Sequence, residues 1–466
     1  LKFYHYHFKT MQTATDAYKL LHDGIQALAK VEQAGLRIDV EYIKNKKKEI
    51  TREINALEKQ FLKTTFFKDW LKSSKEVNIY SPTQLGKFLY TTKNLKVFKQ
   101  TVTGKGATDE EALRQLRIPE LDTLLQIKKL KKIRDTYLES FEREQVNGTL
   151  HPFYQLHLVK TFRGSSDSPN FQNIPKRDKE AMDICRKAIY PRPGNQLVEF
   201  DYKQLEVRIA ACYNGDQKLI DDIVSGDMHR DVCIELFKIE NFNKEELTHS
   251  TLRSATKNGF VFPQFYGSYY KNCAVNLACT WGQLPKNGRW KKGQGIPFED
   301  TYLANHLIEK GFTSLDKFTE HVRDIEKDFW EVRYGVYTKW KRDWWQLYQQ
   351  KGYIETKTGF RLQGVMNQND VINYPIQGSA FHCLLWSLIE GVKAQTKEHW
   401  DSRIVGQIHD SIIMDVNPRE LKKVIKVMRC IMCNDIRQKW EWITVPLDVD
   451  VEIHPVDGSW ADKLKN

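Results

Sequence analysis

No stretch of this 466-residue sequence approaches the run of about 20 apolar residues that a membrane helix needs, which excludes a spanning segment of that kind. The stretch LKFYHYHFKT has no apolar h-region, so it is not a secretory signal. Unless a segment precedes it, the chain is expected in a cytosol-like compartment. Its 8 cysteines are too sparse for a disulfide framework. Cys430 and Cys433 form a C-x-x-C, and Cys273 and Cys279 lie fairly near each other. However, no second C-x-x-C or His pair is spaced to complete a zinc site, and VMRCIMCNDIRQKW reads as a helix. Buried structural thiols are expected for all eight. No internal repeat or low-complexity linker stands out, so a solenoid or an extended tether is also excluded.

What is present points to a large folded protein. Hydrophobic residues make up 41% and charged residues 28%, and the length calls for two to four subdomains. The net charge of +12 favours a polyanionic partner, most simply nucleic acid. A lysine-rich proteome is the plainer alternative, and charge alone does not decide between them.

Residues 12–60 read as long helices broken at EQAGLRID, where Gly35 ends one and Asp39 starts the next. Ser81-Pro82 opens a short helix. The glycine loop TGKGATDEEAL leads into another, with Thr108 as cap and Glu111 three residues on. LQIKKLKKIRDTYLESF is a helix with a basic face at Lys128, Lys129, Lys131, Lys132 and Arg134, ordinarily a solvated face and a phosphate contact only if the protein handles nucleic acid. From 146 the texture changes. VNGTLHPFYQLHLVKT reads as a hairpin about Asn147-Gly148, NQLVEFDYKQLEVRIAA as a strand ending at Asp201 and passing into a helix, and GYIETKTGFRLQG as strand-turn-strand. IQGSAFHCLLWSLIEGVKA is an apolar helix, SRIVGQIHDSIIMDV a hairpin with His409-Asp410 at its turn, and VPLDVDVEIHPVDGSW one more strand.

Asp201 and Asp410 share a setting: each stands beside an apolar strand where the backbone changes direction. If the strands are neighbours, both carboxylates emerge at one edge and could hold two Mg²⁺ about 3.5–4 Å apart, as in phosphoryl transfer. The alternative is that one caps a helix and the other makes a turn. Between them, RSATKNGFVFPQFYGSYY carries Arg253 and Lys257 at i, i+4, able to grip a triphosphate, with Phe260, Phe262, Phe265 and Tyr266 offering faces for a base.

DYKQLEVR, RSATKNGFVFPQFYG and QIHDS resemble motifs A, B and C of the family A DNA polymerases. TFRGSSDSPNFQNIP, NYPIQGSA, GYIETKTGFRL, KVEQAGLRID, YSPTQLGKFLY, TVTGKGATDEEAL and KKIRDTYLESF support the resemblance, in the right order over most of the chain. The resemblance implies an α+β right-hand architecture with an antiparallel-sheet palm and helical fingers and thumb. It places the thumb at 1–145 (its start resembling the trailing helix of an exonuclease), the palm at 146–218 and 361–466, and the fingers at 219–360. It implies template-directed transfer from dNTPs to a primer 3′-OH, with two Mg²⁺ (or Mn²⁺ in their place) on Asp201, Asp410 and the Tyr202 backbone carbonyl. Arg253 and Lys257 would neutralise the phosphates, and Lys257 would protonate the leaving pyrophosphate. Gln204, His229, Phe262 and Tyr266 would complete the dNTP site, and Glu206, bonded to Tyr266, would act as the steric gate against a ribose 2′-OH. Arg163, Asn373, Gln377, His409, Arg208 and the lysine-rich helix would meet primer-template DNA. The implied partners are primer-template, dNTPs and a separate exonuclease or processivity factor, with a monomeric chain and no membrane. The expected setting is a bacterial or phage-infected cytosol, with an organelle as a further option, and the enzyme is expected to be phage-like.

Three departures stand out. Ser411 replaces the Glu usual after Asp410, and is assigned no metal role. Motif B carries one extra residue between Lys257 and Tyr266, which on a regular helix would swing Phe262 and Tyr266 by about 100°. A π-bulge or break between 258 and 263 would restore them, with Phe262 as the stacking aromatic and Val261 and Phe260 as rivals. Finally, TATDAYKLLHDG resembles at most the trailing helix of an exonuclease, so polymerisation without proofreading in cis is expected, the exonuclease being a separate chain or a segment outside this sequence. Two rivals are a single-subunit RNA polymerase, against which Glu206 argues, and a primer-template binder that has lost its chemistry, against which the four residues Asp201, Asp410, Arg253 and Lys257 argue.

Overall fold

The computed structural model describes residues 12–464 apart from 75, 102, 177 and 282–288. The stretch LKFYHYHFKT and Val102 of the glycine loop therefore lie outside the described residues. The chain divides into two units: Leu1–Lys46, Asp135–Gly226 and Arg333–Asn466 form the first, and Lys47–Arg134 and Asp227–Val332 the second.

The first unit is built on a four-stranded antiparallel sheet in the order Arg403–Ile408, Ser411–Val416, Gln196–Tyr202, Val449–Ile453. Side chains alternate across the central strand, so it has two unlike faces. Val198, Phe200 and Tyr202, with Ile412 and Met414 beside them, are buried on one face. The Tyr202 hydroxyl there lies 2.8 Å from both Ser387 Oγ, on the helix Gln368–Lys397, and the Met432 carbonyl. The other face is acidic, and two of its carboxylates, Glu199 and Asp415, are held by buried and half-buried partners. Glu199 accepts from Trp460 Nε1 at 3.1 Å and pairs with Arg186 at 3.5 Å, whose guanidinium lies over the Trp460 ring. Asp415 accepts from the Arg192 backbone N–H at 2.6 Å and from Asn195 Nδ2 at 2.5 Å.

Gly35 closes the helix Ala14–Ala34 with φ 65°, and Asp39 receives the Tyr42 N–H at 2.8 Å at the start of Val40–Lys63. The sequence reading missed the strand Leu36–Ile38 between them, which pairs with Thr149–Leu150 and Ile189–Tyr190. Asn147 and Gly148 form the expected turn, both with positive φ, closed by a bridge between Val146 and Thr149. The hairpin goes no further, because Phe153–Gln155 turns away to pair with Ser165–Asp167. One cap is corrected: Asp109, not Thr108, receives the Ala112 N–H at 3.0 Å, and Glu111 is held by Lys99. Asp109 is the residue immediately before the first helical one, and its carboxylate also suits the helix dipole.

The second unit is largely helical. Leu247–Thr256 runs into a π-helical segment, Lys257–Val261, and then into the short helix Phe262–Phe265. The expected irregularity is thus present. Gly259 lets it pack closely, since a Cβ there would stand 3.1 Å from Leu277 on the helix Tyr270–Trp281.

The thiols need a second correction. Cys185, Cys212, Cys233, Cys273 and Cys383 are buried, but Cys279 and Cys433 only partly, and Cys430 is exposed. Among the described residues, no helix is long and apolar enough to cross a membrane.

Candidate functional site

Asp201 is the penultimate residue of the central strand, half-buried between the buried Phe200 and Tyr202, and Asp410 sits in the two-residue turn of the neighbouring hairpin. The ladder brings them together: Ser411 stands directly across from Asp201, and the Tyr202 N–H donates to the Asp410 carbonyl at 3.1 Å. The turn is held from beneath. His409 takes a left-handed backbone (φ 49°), and its carbonyl accepts from Gln407 Nε2 at 2.8 Å. Gln407 in turn is fixed by Gln172 at 2.5 Å and by the Tyr154 hydroxyl, which accepts its backbone N–H at 3.0 Å.

The surroundings are charged. Burial pushes the Asp410 carboxyl up to about 7, and Glu206 adds to this while Arg163 opposes it. Burial also raises Asp201, with Lys176 pulling the other way from 3.3 Å. Arg163 lies 3.5 Å from Glu206. Three carboxylates therefore face two cations, and the buried one resists ionising. A divalent cation would offset that charge. Among the described residues, no group of three or more His, Cys, Asp or Glu is placed to cage a metal. Two carboxylates and a backbone oxygen suit Mg²⁺, which keeps waters and takes phosphate oxygens. Tyr202 turns its ring into the core, so only its backbone can contribute.

Two of the other expected residues follow this edge in the chain, and two lie on a separate helix. Gln204, in a left-handed conformation, and Glu206 open the helix Leu205–Asn214. Asn373 and Gln377 stand one turn apart on Gln368–Lys397. Gly378 follows, where a Cβ would meet the Thr161 carbonyl at 2.4 Å; this close approach seats the loop carrying Arg163. Arg208 is a correction. It is 8% exposed, and its guanidinium donates to the carbonyls of Lys203 at 2.9 Å and Pro446 at 2.5 Å, so it locks the turn after Asp201 and is not presented to DNA.

The second unit holds the other set. Arg253 is gripped by Asp227, its Nε and one terminal nitrogen donating at 2.8–3.1 Å. Lys257 Nζ lies 5.2 Å from the Phe262 ring centre, and the buried His229 meets the same ring edge-on at 5.7 Å. Burial, then Lys257 and Arg253, pulls His229 down to about 4, so it is neutral. The π segment has put Phe262 back beside Lys257, while Phe260 and Val261 are fully buried and unavailable to a ligand. Tyr266 is half exposed. The basic helix face is only partly open: burial lowers Lys128, Lys131 Nζ lies 4.4 Å from the Tyr80 ring centre, and Arg134 donates to Thr51 at 3.2 Å. Lys129 is partly covered and Lys132 exposed.

The family model for DNA polymerase family A matches residues 40–461. The chain belongs to DNA polymerase family A. It is 29% identical over 433 residues to DNA polymerase I of Lactococcus lactis subsp. lactis (strain IL1403), covering 91% of this chain and 44% of the relative. It is 25% identical over 442 residues to DNA polymerase I of Geobacillus stearothermophilus, covering 93% and 44%. The chain thus spans less than half the length of these curated relatives. Among solved structures it is similar to the POL domain of Pol1 from M. smegmatis in complex with DNA primer-template and dNTP, with a TM-score of 0.73 and 23% identity over 95% of this chain and 70% of that one. That likeness shows the α+β polymerase fold. Within this family A chain, Lys176 and Asp227 escaped the sequence reading. Asp227 had a weak signal, as an Asp opening a helix, but its pairing with Arg253 is tertiary. Lys176 had none.

Proposed function

We propose that this chain is a template-directed DNA polymerase that adds dNMP from dNTP to a primer 3′-OH. The observation that carries this reading is the convergence of Asp201 and Asp410 at one sheet edge, where burial raises Asp410 to about 7. Asp201, Asp410 and the Tyr202 carbonyl would hold Mg²⁺, with Mn²⁺ as a substitute. Two such ions, when bound, acidify the primer hydroxyl and offset charge on the triphosphate. Arg253, released from Asp227, and Lys257 bind the triphosphate, and Lys257 gives a proton to the leaving pyrophosphate. Phe262 stacks on the incoming base, with His229, Tyr266 and Gln204 completing the nucleotide's surroundings. Glu206 fills the space a 2′-OH needs. Arg163, Asn373, Gln377, His409, the exposed Lys132 and the partly covered Lys128, Lys129, Lys131 and Arg134 meet primer-template. In this reading, residues 1–145 are thumb, 146–218 and 361–466 palm, and 219–360 fingers. The polypeptide acts as a monomer in the cytosol, without proofreading within these residues, an exonuclease being supplied by a separate chain or by a segment outside this sequence, and any processivity factor being a separate partner.

Primer extension with Mg²⁺, comparing dNTPs with rNTPs in the wild type and in Glu206→Ala, tests the reading. Extension with dNTPs alone, relaxed toward rNTPs by the substitution, is expected. Absence of templated extension, or equal use of rNTPs by the wild type, would overturn it.

A further inference from the structure

Lys176 follows the short helical turn Phe171–Asn173, and its Nζ lies 3.3 Å from Asp201 Oδ2. It also acts electrostatically on Asp410, so one ammonium serves both carboxylates of the pair. Arg163 also offsets Asp410, more strongly than Lys176 does, but both it and Lys203 have other carboxylate partners. Arg163 has Glu206 at 3.5 Å, and Lys203 has Asp448 at 2.8 Å and Asp450 at 3.1 Å. The position directly across the ladder from Asp201 is the neutral, buried Ser411, whose hydroxyl is turned to the Ile408 carbonyl at 2.9 Å. Lys176 is itself about half exposed on a long flexible stem, so it can leave without unfolding anything.

We propose that Lys176 is a built-in counter-cation of the metal-binding carboxylates, which an incoming divalent ion must displace. The inference rests on the reading of Asp201 and Asp410 as metal ligands. Its consequence is weakened metal affinity. A lysine ammonium and a divalent ion cannot both sit against Asp201 without repulsion, so the ion binds only after Lys176 swings into solvent. The acidic group that Ser411 lacks does not make up the difference. The metal requirement of this chain is therefore set by Lys176 as well as by its ligands.

The test is Mn²⁺ binding to the whole protein without DNA, followed by the loss of free-ion EPR signal, together with the Mg²⁺ midpoint of primer extension. Lys176→Gln and Lys176→Met are expected to tighten Mn²⁺ binding about three- to tenfold, the scale of one lost unit-charge repulsion at a partly solvated site. The Mg²⁺ midpoint should fall by a similar factor. Lys176→Arg, which keeps the charge, should stay near wild type. Unchanged or weaker Mn²⁺ binding in both neutral variants, with melting temperatures near wild type, would overturn the proposal. Asp201→Asn separates the two readings: if it still binds Mn²⁺ as the wild type does, the ligand assignment fails, whatever Lys176 does.

Discussion

The sheet edge of the first unit and the cationic helix of the second solve the same problem, aiming charged groups, by different means. At the sheet edge, two carboxylates far apart in sequence are aligned by a backbone ladder, and their supports (Gln172, Gln407, Tyr154) are buried polar side chains. On the helix, Arg253, Lys257 and Phe262 are near in sequence, and their common direction depends on one irregular turn, Lys257–Val261. Register in a ladder is fixed by many bonds and tolerates side-chain change. The heading of a helix face is fixed by residue count, so one residue more or less must be absorbed locally.

This contrast can be broken most sharply at Asp410. Asp410→Ala should leave the ladder and DNA binding intact and cut extension by about 10³-fold or more, the scale of losing a principal source of transition-state charge stabilisation. Parallel loss of DNA binding would show that the turn had collapsed. On the helix, Phe262→Ala should raise the dNTP KM about tenfold, in line with a stacking loss of about 1–2 kcal/mol, without a large change in melting. Phe260→Ala, by contrast, should cost about 3–5 kcal/mol in denaturant unfolding, because its ring is in the core. If the two results were exchanged, Phe260 would be the stacking aromatic.

A smaller effect separates support from contact. Arg208→Ala should cost about 1–3 kcal/mol of stability through two lost carbonyl partners and leave the salt slope of DNA binding unchanged. Lys132→Ala should do the opposite and lower that slope by about 1. The smallest concerns Asp227. Burial pushes its carboxyl up, but the Arg253 hydrogen bonds and the Arg230 N–H more than offset this, so it titrates below the ordinary carboxylate range. A depressed folded value means its contribution is complete above the unfolded value and is lost as pH falls through the folded one. Thermal melts of the wild type and Asp227→Asn should therefore differ near neutrality and converge as the pH falls; a gap that stays constant through the acid range would show that the carboxylate charge is not its source.

Much of this was legible in the sequence because it rests on local rules. Apolar runs marked the strands Gln196–Tyr202 and Ser411–Val416, and Gly35, Asp39 and Ser81 marked helix ends. Even the π segment could be anticipated from one surplus residue beside Gly259 and Pro263. What stayed hidden depends on encounters across the fold: the Lys176–Asp201 contact, the Asp227–Arg253 grip and the turning inward of Arg208. No periodicity announces these, since each joins a residue to a partner that only the tertiary structure supplies. The π segments at Lys87–Thr92, Ile133–Leu138, Asp328–Arg333 and Ile431–Asp435 were likewise unmarked, as their side-chain patterns remain helical.

The order of strands in the sheet has a consequence for biosynthesis. Gln196–Tyr202 emerges from the ribosome first of the four, yet it needs Ser411–Val416 on one side and Val449–Ile453 on the other. Until both have been made, its apolar row has no matching edges and must be shielded by a chaperone or by provisional packing. The sheet edge of a nascent chain is therefore completed late and abruptly, and slowed translation through the second half should promote aggregation more than partial folding.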